Sequence, residues 1–155
     1  MQSSAVLVRR EAAAAVGWLD PDFFVYSDET DFCRRLHDAG WRVLFAPDAR
    51  AVHHDQLSTD AEAMRRRIVE FHRGRDRYFR KHGMRFTRFL WTVCWTWAYL
   101  ARAGAAFMLP GRDPRRYLLH ARQQLRPGRG YGLREAADAY NRERASAEGR
   151  RLTGV

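Results

Sequence analysis

The segment Tyr26-Ser27-Asp28-Glu29-Thr30-Asp31 places three carboxylates within four positions, directly after the apolar run Phe23, Phe24 and Val25. A carboxylate that emerges beside buried apolar chain loses hydration, which raises its pKa towards the strength that a general base needs. The same pattern has a purely structural reading. Acids in the first turn of a helix meet unpaired amides and the positive end of the helix dipole, and they are favoured there whether or not they do chemistry. The second group of interest is His53 with His54. In an extended segment adjacent side chains leave on opposite faces, so at most one of the two can turn towards a given site. An imidazole near carboxylates is a common metal ligand and equally a common hydrogen-bonded structural residue, and spacing does not separate the two readings.

Elements must position these groups. Residues 28–39 carry Phe32, Cys33 and Leu36 on one helical face, with Ser27 as the expected N-cap and Gly40 as the stop. Before it, residues 10–16 form an alanine-rich helical stretch ended by Gly17, and residues 18–26 read as a loop around the turn signal Asp20-Pro21-Asp22. Strands are expected at residues 4–8 (SAVLV), at 41–46 (WRVLFA, bounded by Pro47 and Asp48) and at 50–53. The rear reads as helical. A basic helix spans 60–82, with Met64, Ile68, Phe71, Tyr78 and Phe79 as its inward stripe and Gly83 as its end. An apolar stretch at 89–109 is interrupted by Arg102 and closed by Pro110 and Gly111. Asp113 and Pro114 suit the N-cap and first position of a helix through 125. Residues 127–132 (PGRGYG) form a linker, and a polar helix over 133–148 leads to a loose tail.

Over 155 residues the chain is 46% hydrophobic and 30% charged, which suits one compact unit with appendages and excludes a collagen-like repeat or a wholly disordered chain. Cys33 and Cys94 lie far apart with no CxxC pair, and no secretory leader is apparent, so a reducing compartment is expected. The net charge of +10 is unevenly spread: −3 over residues 1–59, +6 over 60–88, +1 over 89–109 and +6 over 110–155. An acidic front is joined to a basic rear, as where two different surfaces share one chain. Every basic residue but Lys81 is arginine, whose guanidinium binds phosphate and carboxylate in bidentate fashion.

The run LVRREAAAAVGWLDPDFFVYSDETDFCRRLHDAGWRVLFAPDARAVHH resembles the second half of the catalytic domain of family 2 glycosyltransferases, especially rhamnosyltransferase-like bacterial members. The likeness covers roughly residues 3–54, with a looser echo in RGRDRYFRKHG at 73–83, and rests on several spaced elements in one order. It implies an α/β fold, the C-terminal half of a GT-A, Rossmann-like domain followed by an α-helical extension. It further implies a nucleotide-sugar donor, a divalent metal (Mn or Mg) and an inverting single displacement. On that resemblance Glu29 is the catalytic base, Asp28 and Asp31 lie in the acceptor region, and His53 is the metal ligand, with His54 the weaker candidate. Two departures stand out. The pair here is Asp then Glu where the family more often has Glu then Asp, which makes Asp28 a substitute candidate for the base. Asp55, Gln56 and Leu57 replace glycines that commonly follow the histidine.

The nucleotide-binding half of such a domain would precede Ser3, so this chain alone is expected to be inactive and a separate N-terminal half is a candidate partner. The expected organisation is a partial catalytic domain over 1–58 (the acceptor and base half) and a basic helix packed on it over 59–84. Residues 85–126 are expected to form a membrane-associated apolar helix and a following amphipathic helix, and 127–155 a polar helical tail. The 89–109 stretch is just long enough to span a bilayer, but its tryptophans, threonines and Arg102 favour a helix lying on an anionic membrane surface, with packing against the catalytic domain as the next reading and a true span as the last. The expected activity is sugar transfer to a hydroxyl of a cell-surface glycan or glycolipid, at the inner face of the cell membrane. The rival is an Arg-rich module that binds membrane or nucleic acid without catalysis. Nucleic acid is the disfavoured partner, because no zinc-finger, RNP-type or basic-region pattern accompanies the charge.

Overall fold

A computed structural model describes residues 5–52, 60–109 and 113–153. Among them the chain forms six helices: α1 (Arg10–Ala15), α2 (Asp28–Asp38), α3 (Ala61–Lys81), α4 (Arg85–Met108), α5 (Pro114–Leu125) and α6 (Leu133–Thr153). Local chemistry starts two of them. The Asp60 carboxylate accepts from the Glu62 and Ala63 amides at 3.1 and 3.2 Å, and Asp113 accepts from the Arg115 amide at 2.9 Å with Pro114 opening α5. Ser27 does not cap α2 in that way. It sits in the left-handed region at φ 66° without a side-chain cap bond, and its carbonyl accepts from the Asp31 amide at 2.9 Å.

No strand occurs among the described residues, which overturns the expected α/β, Rossmann-like class. The apolar runs at 5–8 and 41–46 and the described residues 50–52 form no regular element. Strand hydrogen bonds run to a neighbour, so apolar content alone cannot make a ladder, and among the described residues these runs form none. Leu7, Leu44 and Phe45 are accordingly exposed where buried strand residues were expected.

Two apolar assemblies organise the rest. At the front, Ala12 and Ala13 of α1 pack on Phe32 and Leu36 of α2, with Val8, Val16 and Trp41 around them. At the rear, α3, α4 and α5 pack together, burying Ile68, Val69 and Phe79 of α3, Ala103 and Ala106 of α4 and Ala121 of α5. The expected inward stripe of α3 is thus partly right: Ile68 and Phe79 are buried, whereas Phe71 is exposed. The inner side of α4 is an aromatic ladder, with Trp91 5.9 Å from Phe79, Trp95 5.4 Å from Trp91 and Tyr99 5.7 Å from Trp95. No helix among the described residues is long and apolar enough to cross a membrane.

Candidate active site

Helix α2 divides its acids between two faces. Asp28, Glu29, Phe32, Cys33 and Leu36 recur at helical spacing and line one side of a cleft of about 970 Å³. The segments 6–9 and 40–44, with Ala12 and Ala13 of α1, line much of the rest of it. A cleft that is largely apolar and holds a few convergent polar groups is the usual form of a small-molecule site. Burial within it, and then a hydrogen bond shared with the adjacent Asp28 carboxylate, raise the Glu29 pKa above the ordinary 4.5. Burial and the Glu29 charge also push the Cys33 thiol up, which keeps it un-ionised and a poor nucleophile.

Asp31 lies on the other face of α2 and is fully buried. Its Oδ2 accepts from Arg35 Nε at 2.7 Å and from Lys81 Nζ at 2.8 Å, and its Oδ1 accepts from His82 Nε2 at 2.9 Å. Burial alone would raise this carboxyl, but the bonds from Lys81, Arg35 and His82 outweigh it and hold the pKa below the ordinary 3.8. Arg35 continues the clamp to the chain after α1, donating to the Val16 carbonyl and, at 2.8 Å, to the Trp18 carbonyl. Lys81 also reaches Asp20 at 2.6 Å. The structure therefore brings Asp28 and Glu29 together at the cleft and sets Asp31 apart, as the knot between α2 and the end of α3.

The approach to the acids is strained. Tyr26 and Ser27 both have positive φ, 65° and 66°, a backbone region costly for residues with a Cβ. Helix α3 holds that turn from behind through Gly74, whose Cβ position is taken up by the Tyr26 carbonyl, with Val25 O 3.3 Å away. Charge pairs complete the support: Arg77 meets Asp22 at 2.6 Å, and Arg134 of α6 donates to the Asp22 carbonyl at 3.0 Å.

Many arginines of α3 are engaged in such internal contacts. Arg73 joins Glu70 and Glu135 at 3.1 and 3.0 Å, and Arg80 pairs with Asp76 at 2.7 Å. Arg75 donates to His72 Nδ1 at 2.6 Å and to the Gln124 side chain. Sequence reasoning gave this helix a basic character and an inward apolar stripe, and it missed Arg35, Gly74, Lys81 and His82 as supports of the site. The spacing of Asp31 and Arg35, four apart on a helix, was the one local signal available for them.

His53 and His54 lie outside the described residues. Among the described residues no group of three or more His, Cys, Asp or Glu side chains converges to hold a metal ion.

A family model described as glycosyl transferase family group 2 matches residues 3–118, and the chain belongs to that family. It is similar to the N-acetylglucosaminyl-diphospho-decaprenol L-rhamnosyltransferases of two strains of Mycobacterium tuberculosis, each 39% identical over 59 residues, 38% of this chain and 19% of theirs. The chain thus matches about a fifth of the length of those curated relatives. No solved structure matches it.

Proposed function

We propose that this chain carries the acceptor-activating part of an enzyme that transfers a sugar from a nucleotide-sugar donor to a hydroxyl of a cell-surface glycan or glycolipid, with inversion at the anomeric carbon. The observation that carries the reading is Glu29: a carboxylate of raised pKa at the rim of a large apolar cleft, within the stretch matched to the family. Glu29 takes the proton from the acceptor hydroxyl as its oxygen attacks the anomeric carbon, and the nucleoside diphosphate leaves from the opposite side. Asp28 orients the acceptor and, by its charge, keeps Glu29 basic. Asp31, the other expected acceptor contact, acts as a positioning residue through Arg35, Lys81 and His82. A decaprenyl-diphosphate sugar, the acceptor type in the names of the mycobacterial relatives, fits an apolar cleft with carboxylates at its edge.

The stretch matched to the curated relatives is about a fifth of their length, and the proposed transfer needs a nucleotide-binding part besides it. A divalent cation, Mn or Mg, with His53 as its ligand from this part, is included in the proposed enzyme. The test is turnover in the enzyme with its nucleotide-binding part present. Glu29→Gln is expected to lower kcat by about 10²–10⁴-fold with donor affinity retained. Turnover retained by Glu29→Gln and lost in Asp28→Asn would move the base to Asp28.

A further inference from the structure

Helix α4 has a second face that the fold leaves open. Phe86, Phe89, Leu90, Val93, Trp97 and Leu100 recur every three or four residues and therefore share one side of the helix, opposite the ladder of Trp91, Trp95 and Tyr99 that packs inward. All six are exposed, Phe86 by 73% and Trp97 by 71%, and Phe107 and Met108 extend the stripe at its C-terminal end. A continuous exposed apolar patch of this kind marks an interaction surface. Arg102 falls outside it, lying over the Trp95 ring at 5.9 Å.

Charge identifies the occupant. Helices α4 and α5 contain no acidic residue, and between them they carry Arg85, Arg88, Arg102, Arg115, Arg116 and Arg122. On α5, which packs along α4, Arg115 and Arg122 are exposed seven positions apart and Leu118 and Leu125 accompany them. A second copy of this chain would bring arginines against arginines. A nucleic acid would meet the arginines but offer no apolar phase to the phenylalanines. A bilayer surface with acidic headgroups satisfies both. We propose that α4 lies in the plane of an anionic lipid bilayer, with the Phe86-to-Leu100 stripe immersed at the headgroup–acyl boundary and the exposed Arg85, Arg115 and Arg122 on the lipid phosphates, while Arg88 stays paired with Asp76. This surface is independent of the cleft at Glu29, and its test does not rely on sugar transfer.

The full chain carrying Cys33→Ser and a nitroxide on Cys94, which is exposed beside Val93, is mixed with vesicles of equal parts phosphatidylglycerol and phosphatidylcholine. The expected result is sedimentation with these vesicles, much weaker binding to pure phosphatidylcholine, and a label accessible to oxygen but shielded from a water-soluble nickel complex. Phe89→Glu with Trp97→Glu should weaken vesicle binding by about tenfold or more, since each removes a large apolar group from the immersed face. Because the unlabelled wild type also reports sedimentation, a poorly folding variant does not decide the matter. Absence of vesicle binding overturns the proposal, as does binding in which Cys94 stays open to nickel, or self-association through the stripe that excludes lipid.

Discussion

Two neighbouring acids on α2 separate because of what surrounds them, although both belong to one short acidic string. Glu29 faces a cleft with no cation among its lining side chains but Arg9 and Arg42, and desolvation followed by Asp28 raises its pKa. In the proposed enzyme the acid limb of the rate profile should therefore have its midpoint above the ordinary glutamate value of 4.5. Asp28→Asn should shift that midpoint down, because the raising charge is gone; an unmoved limb would mean that the two carboxylates do not act on each other. Asp31 shows the opposite balance. It is surrounded by Arg35, Lys81 and His82, and removing a partner from such a buried cluster leaves uncompensated charge. Asp31→Ala should cost about 3–5 kcal/mol of stability in urea titrations. The pH dependence has a definite sign. A carboxylate with a depressed folded pKa contributes fully above its unfolded value near 3.8, and the contribution is lost as pH falls through the folded value. The wild type should lose this stability in strong acid, whereas Asp31→Ala should show a flatter acid limb.

Between α3, α4 and α5 the histidines His72 and His120 form a hydrogen-bonded pair at 3.0 Å, with Tyr99 stacked 4.6 Å from the His120 ring. Arginine only donates, so the Arg75 bond makes His72 Nδ1 an acceptor and leaves Nε2–H to donate to His120 Nδ1. Protonating His72 would break that chain. Burial, reinforced by Arg75 and His120, lowers the His72 pKa to about 3; burial, with Arg116 and Arg75, lowers that of His120 to about 4. A histidine with a depressed folded pKa contributes stability that is complete above its unfolded value of 6.5 and declines as pH falls from there towards the folded value. Stability should thus fall between these limits by roughly 1.4 kcal/mol per pH unit for each proton taken up, and His120→Gln should reduce the slope. Unchanged slopes would place the histidines in water. At the same level, Gly74→Ala should cost about 1–3 kcal/mol by forcing the Tyr26 carbonyl off α3. Helices were legible in the sequence because their signals are local: Asp113 as a cap, Gly40 and Gly83 beyond the ends, a 3.6-residue apolar period. Strands were not, since the pairing of residues 41–46 depends on a backbone that no local pattern specifies. For the site, the proximity of Asp28 to Glu29 could be read directly. The cations on Asp31 could not, because Lys81 and His82 arrive from about fifty positions away.

Across the whole molecule the acidic front and basic rear, visible as opposite charge in the sequence, are the two sides of one internal contact. Asp20 and Asp31 meet Lys81, and Asp22 meets Arg77, so acids of the front are spent in docking the α1–α2 unit onto α3, while most of the rear's arginines remain outside that contact. These contacts differ in worth because they differ in burial. Asp22 is largely and Arg77 partly in water, where ion pairs contribute little, so Arg77→Ala should change stability by no more than about 1 kcal/mol. Lys81 serves a fully buried carboxylate, and Lys81→Met leaves Asp31 to Arg35 and His82 while also releasing Asp20. Its cost should approach the roughly 3–5 kcal/mol of a broken buried pair. Hydrogen exchange distinguishes docking from simple weakening. In Lys81→Met the amides of α1 and α2 should exchange faster, while those of α3 and α5 around the His72–His120 pair keep their protection, because that second apolar assembly does not depend on Lys81. Uniform acceleration through all helices would instead make the molecule a single cooperative unit in which front and rear stand or fall together.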